Sequence, residues 1–312
     1  MDEVCVPSRP AGYASTRRHK TMGRLPFTDT HVHFHDFSYT KLRWDWLTPG
    51  SEPADTIGDY SAIQAQRYRA EDFLSETRFQ NVDRVIHVQA ALGSADPVEE
   101  TRWLQAQADR TGAPHGIVAH ATLDDPGVGL TIDRHAESAN LRAIRDLRYD
   151  DYLVNPDWLR GLAEIERHGL VLCDDPLVDQ LGQLAAVAEQ HPGLTICVDH
   201  AGFPRRRDDA YFREWLAGMT KIAKHPNTVV KISGLGMCDH AWTLESLRPW
   251  VTSCLELWGT DRAFFGTNWP VDRLFSSYGD VLDAYTELIA DYTDAEQRAL
   301  FNGNARRVFR LG

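Results

Sequence analysis

The sequence has no apolar run approaching the roughly 18 to 20 residues needed to span a bilayer, and its N-terminus lacks the apolar core of a signal peptide. Basic charge is in short supply. Lys and Arg number 33 against 45 Asp and Glu, a net charge of −12. That balance argues against nucleic acid, which asks for a basic face, and against an anionic membrane surface; the Arg17-Arg18-His19-Lys20 run reads as part of a solvated tail. Cysteine is scarce too: Cys5, Cys173, Cys197, Cys238 and Cys254 are odd in number and form no C-x-x-C pair. They read as reduced, mostly buried thiols of a cytoplasmic protein. Finally, no strand-like run is followed by a glycine-rich phosphate turn of the G-x-G-x-x-G or G-x-x-x-x-G-K kind.

What remains is ordinary globular composition, with 43% hydrophobic and 25% charged residues among 312, and it excludes extensive disorder and fibrous repeats. Residues 1–23 are polar, contain Pro7, Pro10 and Gly12, and show no periodicity; they read as a flexible arm. Residues 24–312 read as a single domain of strands alternating with amphipathic helices. The strand candidates run over 25–33, 82–89, 116–123, 141–147, 170–174, 194–200, 228–235 and 263–268. From the third onward they start about 25 to 35 residues apart, the length of one strand–helix unit. Between them, Leu181, Leu184, Ala185 and Ala188 share one helical face, as do Trp215, Met219 and Ile222. Asn155-Pro156 fits an N-cap with proline at the first helical position, and Thr293 with Glu296 fits a capping box. Eight such units predict an α/β fold, the (β/α)8 TIM-like barrel. An open doubly wound sheet is the alternative, weakened by the missing phosphate turn. The stretch 36–69 is too long for an ordinary connection and rich in aromatics, so it reads as an excursion covering substrate.

In such a barrel chemistry sits at the C-terminal strand ends, and polar groups collect there. The first strand ends in Asp29-Thr30-His31-Val32-His33, and alternation puts His31 and His33 on one side. Two imidazoles so placed can ligate a divalent metal or hydrogen-bond one carbonyl oxygen. The sixth candidate brings His200, and the eighth ends in Asn268 with Asp272 four residues on. Gln89, Arg145 and Asp174 close the second, fourth and fifth, while Lys231 and Ser233 lie on the seventh. Each alone has a structural explanation; seven strands delivering polar groups to one rim do not.

These residues carry a resemblance. The segments D-T-H-V-H, V-D-H-A-G, V-V-K-I-S-G-L-G, F-F-G-T-N-W-P-V-D and N-G-N-A-R-R-V-F resemble the amidohydrolase superfamily (amidohydrolase family 2). Within it they are most similar to the lactonase branch of fuconolactonases and pyrone-dicarboxylate lactonases. The likeness runs in order from about Leu25 to Leu311. It implies an amidohydrolase-type barrel and hydrolysis of an ester-like or amide-like bond. It also implies a divalent metal such as zinc in some members and metal-free catalysis in others. Two departures stand out: Leu172-Cys173-Asp174 lies where metal-dependent members carry a fifth-strand His, and Asn268 where they carry an Asp acting as ligand and base. An amide cannot take a proton at neutral pH, so Asp272, then Asp174, are the candidate stand-ins.

The expected activity is opening of a lactone, sugar-derived or of dicarboxylate type, by an activated water. With a metal, His31 and His33 would hold it; without one, His31, His33 and His200 would form an oxyanion pocket. Arg145 suits a substrate carboxylate or hydroxyl cluster. Gln89 joins it as a substrate-binding residue, and Trp44, Trp46 and Trp269 offer faces for a ring to stack on. Two alternatives stay open, a nonoxidative decarboxylase of the same superfamily and a catalytically silent, ligand-binding barrel. The expected partner is a small molecule, and a homo-oligomer is left open.

Overall fold

Eight parallel strands follow one another in chain order through the computed structural model, which describes residues 24–51 and 55–312. They are β1 (Phe27–Val32), β2 (Val82–Val88), β3 (Gly116–His120), β4 (Leu141–Arg145), β5 (Val171–Asp174), β6 (Ile196–Val198), β7 (Thr228–Ile232) and β8 (Ala263–Phe265). Each is followed by a helix: α1 (Ala70–Glu76), α2 (Val98–Thr111), α3 (Val128–His135), α4 (Pro156–Arg167), α5 (Leu181–Gln190), α6 (Asp209–Ala223), α7 (Leu244–Trp258) and α8 (Tyr278–Leu288). The series closes on itself beyond the end of β8. Val32 bridges Trp269 in parallel, the His33 N–H donates to Trp269 O at 2.7 Å, and Thr30 Oγ1 donates to Phe265 O at 2.8 Å. Gly266 sits at this seam because a Cβ there would come within 2.7 Å of Thr30 Oγ1. This is the (β/α)8 barrel that the strand spacing predicts. The expected arm over 1–23 lies outside the described residues.

Strand alternation sorts the side chains into two cores. Ile86, Val88, Val118, Ala143, Val171, Cys173, Cys197, Val229 and Phe264 fill the barrel, and Ala305, Phe309 and Leu311 of the C-terminal tail join them. The tail covers the end where the strands begin, with Arg84 at the start of β2 donating to Gly312 O at 2.7 Å. Outward-facing residues pack against the helices in a second, larger core. Helix boundaries follow local chemistry: the Asn155 side chain caps α4 from Asp157 N with Pro156 at the first position, and Thr293 and Glu296 form the capping box. All four described cysteines are free, and no helix among the described residues is long and apolar enough to cross a membrane.

The excursion 36–69 is tied at its base, where His35–Asp36 pairs antiparallel with Arg67–Tyr68. Its Trp44 anchors it: the indole N–H donates to Phe34 O and the ring meets Trp103 edge-on at 5.6 Å.

Candidate active site

The floor of the site is a buried ion pair. On β7 and at the residue just past its end, alternation turns Val229, Lys231 and Ser233 inward, and just beyond β6 Asp199 faces them; Lys231 Nζ lies 2.8 Å from Asp199 Oδ1, both side chains fully enclosed. Burial works to lower the Lys231 ammonium, but Asp199, with smaller help from Cys173 and Cys197, holds it above its ordinary range. The second Asp199 oxygen has no hydrogen bond and stands 3.7 Å from His31 Nδ1.

Three imidazoles cluster above, one pair edge-on and the other tilted. His31 lies 4.9 Å from His33 and 4.3 Å from His200 between ring centroids. His200 reaches this position through an unusual turn: His200, Ala201, Gly202 and Phe203 all have positive φ, of 52°, 53°, 69° and 43°. Three of them are not glycine, so the turn stores strain of the kind found at functional sites. The Trp215 indole N–H donating to Ala201 O at 2.8 Å helps to hold it. Gly234 (φ 61°) makes room, since a Cβ there would stand 2.5 Å from His200 Nδ1. Burial lowers the pKa of all three rings well below 6.5. Neighbouring rings add to this at His31 and His33, and the cations Lys231 and Arg145 add at His31 and His200. They are therefore neutral at pH 7. His33 Nδ1 lies 2.9 Å from Val88 O; a carbonyl only accepts, so Nδ1 carries the proton and Nε2 the lone pair. His200 Nδ1 pairs with Ser233 Oγ at 3.0 Å. Both His31 ring nitrogens have no hydrogen-bond partner.

Above the rings opens a cavity of about 610 Å³ lined by His33, His200, Gln89, Arg145 and Asn268 of the expected set. Arg145 is clamped to Asp175, Nη2 to Oδ1 at 2.8 Å, and its Nε makes no hydrogen bond. Neither amide atom of Gln89 has a protein partner. The excursion supplies Asp45, Trp46, Asp55, Thr56, Ile57 and Tyr60 to the wall.

Of the expected residues, His31 lies fully enclosed beneath the lining, and four others sit elsewhere, each for a visible reason. Trp44 anchors the excursion, and Trp46 is the tryptophan that faces the cavity. Trp269 packs edge-on against Tyr278 and donates from its indole to Glu76 at 3.0 Å. Asp174 points out of the barrel, because alternation after inward Cys173 reverses there; both its oxygens take the Tyr152 hydroxyl at 2.9 Å, and its neighbour Asp175 faces the cavity instead. Asp272 stands one layer behind the wall, accepting from Asn268 Nδ2 at 2.7 Å. Asn268 adopts φ 59°, a conformation asparagine tolerates; one of its two amide hydrogens goes to Asp272, and its oxygen can accept. Asp29 of the D-T-H-V-H segment also lies off the cavity. It takes Thr267 N, Thr267 Oγ1 and the Tyr278 hydroxyl, fastening β1 to the end of β8 and to α8.

The amidohydrolase profile matches residues 28–311. The chain belongs to the amidohydrolase family. Among its relatives is a protein of Sinorhizobium fredii named only as uncharacterized protein y4mH, 35% identical over 291 residues, 89% of this chain and 97% of the other. An L-fucono-1,5-lactonase of Burkholderia ambifaria is 31% identical over 250 residues, 74% of this chain and 81% of its own. An amidohydrolase of Burkholderia multivorans, crystallised with bound zinc, superposes with a TM-score of 0.78 at 24% identity, covering 92% of this chain and 99% of that one. As an amidohydrolase this chain is a hydrolase, and its donor set suits a divalent ion. His31 is neutral with two unengaged ring nitrogens, and His33 is locked in the tautomer that presents Nε2 as a ligand. Asp199 and Asp175 balance the flanking Lys231 and Arg145, so the nearby cations leave no uncompensated positive charge to repel one.

The residues that sequence reasoning missed are Asp175, Asp199 as a partner of His31, and the Tyr149, Phe203 and Arg205 wall. Asp199 was legible beside His200, but its inward direction depends on the strained turn.

Proposed function

We propose that this amidohydrolase opens a lactone by attack of an activated water on the ring carbonyl. The observation that carries the reading is the set of neutral imidazoles His31, His33 and His200 beneath a cavity whose Gln89 amide has no hydrogen-bond partner and whose Arg145 Nε makes no hydrogen bond, lying 3.9 Å from Asp199 Oδ2. The lactonase relative supports the substrate class.

A divalent ion such as zinc, held by His31 and His33, would polarise the carbonyl and ease deprotonation of water. The chain's own residues do the rest. Arg145 Nε and the Gln89 amide donate to the carbonyl oxygen as it gains charge. With Ser233 Oγ accepting from His200 Nδ1–H, His200 Nε2 turns its lone pair to the cavity, takes the water's proton and returns it to the departing alkoxide. The Asn268 oxygen accepts from the water and fixes its direction. Asp272 positions Asn268 from behind. Trp46 offers the flat face on which a ring rests.

A panel of sugar-derived and dicarboxylate-type lactones, followed with a pH indicator, tests this. Acid release supports it. Release of carbon dioxide from aromatic acids in place of lactone opening would make the protein a decarboxylase, and silence on both would leave a ligand-binding barrel.

A further inference from the structure

Among the cavity residues that take no part in that chemistry is a cation. Arg205, on the loop after β6, lines the cavity wall. Its guanidinium carbon lies 4.6 Å from the ring centroid of Tyr149, on the loop after β4, and 4.6 Å from that of Phe203. Its Nε is buried without a hydrogen bond. Among the described residues no carboxylate lies within the 4.0 Å of an ion pair, whereas Arg145, the other cavity arginine, is engaged by Asp175 at 2.8 Å. Asp175 feels both cations but its hydrogen bond is given to Arg145.

A guanidinium packed against two aromatic faces keeps its plane fixed and its N–H edge free, the geometry that recognises a planar anion through paired bonds. A cation set in a cavity wall with no carboxylate in direct contact has lost part of its hydration, and an anion entering beside it recovers that loss. Elsewhere the wall is acidic: Asp55 lies there, and so does Asp45, paired with Arg43. These carboxylates suit the hydroxyls of a ligand and repel its negative groups. Among the described residues, the Tyr149–Phe203 wall is thus the region of the cavity fit for a substituent anion, since Arg145 is already given to Asp175.

We propose that Arg205 determines specificity for a lactone bearing a carboxylate substituent, holding that group at the Tyr149–Phe203 wall while the ring carbonyl lies over the histidines. The inference rests on the lactonase reading and narrows its substrate class.

The test uses two lactones of the same ring that differ in one substituent, carboxylate in one and hydroxymethyl in the other: a sugar-diacid monolactone and the matching aldonolactone. The wild type favours the carboxylate form in kcat/KM by roughly 10- to 100-fold, the worth of one charge-assisted interaction. In Arg205→Gln that ratio collapses toward one, with the loss carried by KM. Arg205→Lys keeps part of it, because a point charge replaces the planar fork. A wild type without the preference, or an Arg205→Gln variant that retains it, overturns the inference while leaving lactone hydrolysis in place. Should no lactone be opened, calorimetric binding of the open-chain diacid separates the two ideas. Binding at least tenfold weaker in Arg205→Gln sustains the carboxylate site although the lactonase reading has failed; equal affinity, or no binding to the wild type, overturns both. If Arg205→Gln has lost the thermal transition of the wild type, the Arg205→Lys titration decides.

Discussion

Lys231 Nζ lies 2.8 Å from Asp199 Oδ1 at the centre of the barrel, with neither side chain exposed. The pair supports the site from below, since the other Asp199 oxygen faces His31 Nδ1 at 3.7 Å. Lys231→Met leaves buried Asp199 with only the more distant Arg145, whose Nε stands 3.9 Å from Oδ2, and unfolding in urea is expected to show a loss of roughly 3–5 kcal/mol. Lys231→Met combined with Asp199→Asn removes both charges and is expected to recover most of it. A single variant as stable as the wild type would show that the pair is not a structural support.

Gly234→Ala tests how His200 is placed. The new Cβ meets His200 Nδ1 at 2.5 Å and the backbone is held at φ 61°, so ring and backbone must both move. Lactone turnover is expected to fall at least tenfold, against a stability loss of only about 1–2 kcal/mol for the left-handed residue. Full turnover would mean that the position of His200 is not tied to the catalytic geometry.

His200→Gln removes the proposed proton carrier. Its kcat is expected to fall by roughly two to four powers of ten with little change in KM, and the thermal transition should stay near that of the wild type. A change confined to KM would reassign His200 to binding.

Zinc titrated into chelator-treated protein is expected to bind with an affinity that His31→Ala and His33→Ala each weaken beyond the roughly 10- to 100-fold cost of an outer-shell loss. Calorimetry measures this without turnover. Wild type that binds no zinc yet opens lactones would mean that the imidazoles act directly.

Asp272 supplies a pH dependence with a definite sign. Burial, the main cause, raises its pKa from 3.8 to about 7 in spite of the Asn268 hydrogen bond. Between these values the native carboxyl keeps a proton that the unfolded chain has released, so stability falls as pH rises through the window, by about 1.4 kcal/mol for each pH unit crossed. Below the lower value the two states bind protons alike and the group costs nothing; above the upper value the whole cost is present. Asp272→Asn is expected to match the wild type near pH 4 and to exceed it in thermal stability at pH 8. Because Asp272 lies behind Asn268, kcat on lactones should change less than tenfold, whereas a loss of several powers of ten would return the role of base to Asp272.

Much of this was legible in the chain. Eight apolar runs separated by capped amphipathic helices determine the barrel, because alternation and helical periodicity are local properties of the sequence. His31, His33, Gln89, Arg145 and His200 were legible for the same reason: they stand at or near strand ends, and a barrel collects those ends. The tertiary structure alone decided what direction and neighbourhood govern. Asp174 and Asp175 exchange inner and outer faces by one residue at the end of β5. Trp44 and Trp46 differ in facing the core or the cavity within one irregular excursion. Asp272 is separated from the cavity by a single amide. Arg205 lies within an ordinary-looking run of three arginines, and only folding brings Tyr149 and Phe203 against it and leaves it without an acidic partner among the described residues. Side-chain direction beyond a strand end depends on turns such as the left-handed one at His200, whose strain is sustained by distant contacts, and no local pattern in the sequence encodes those.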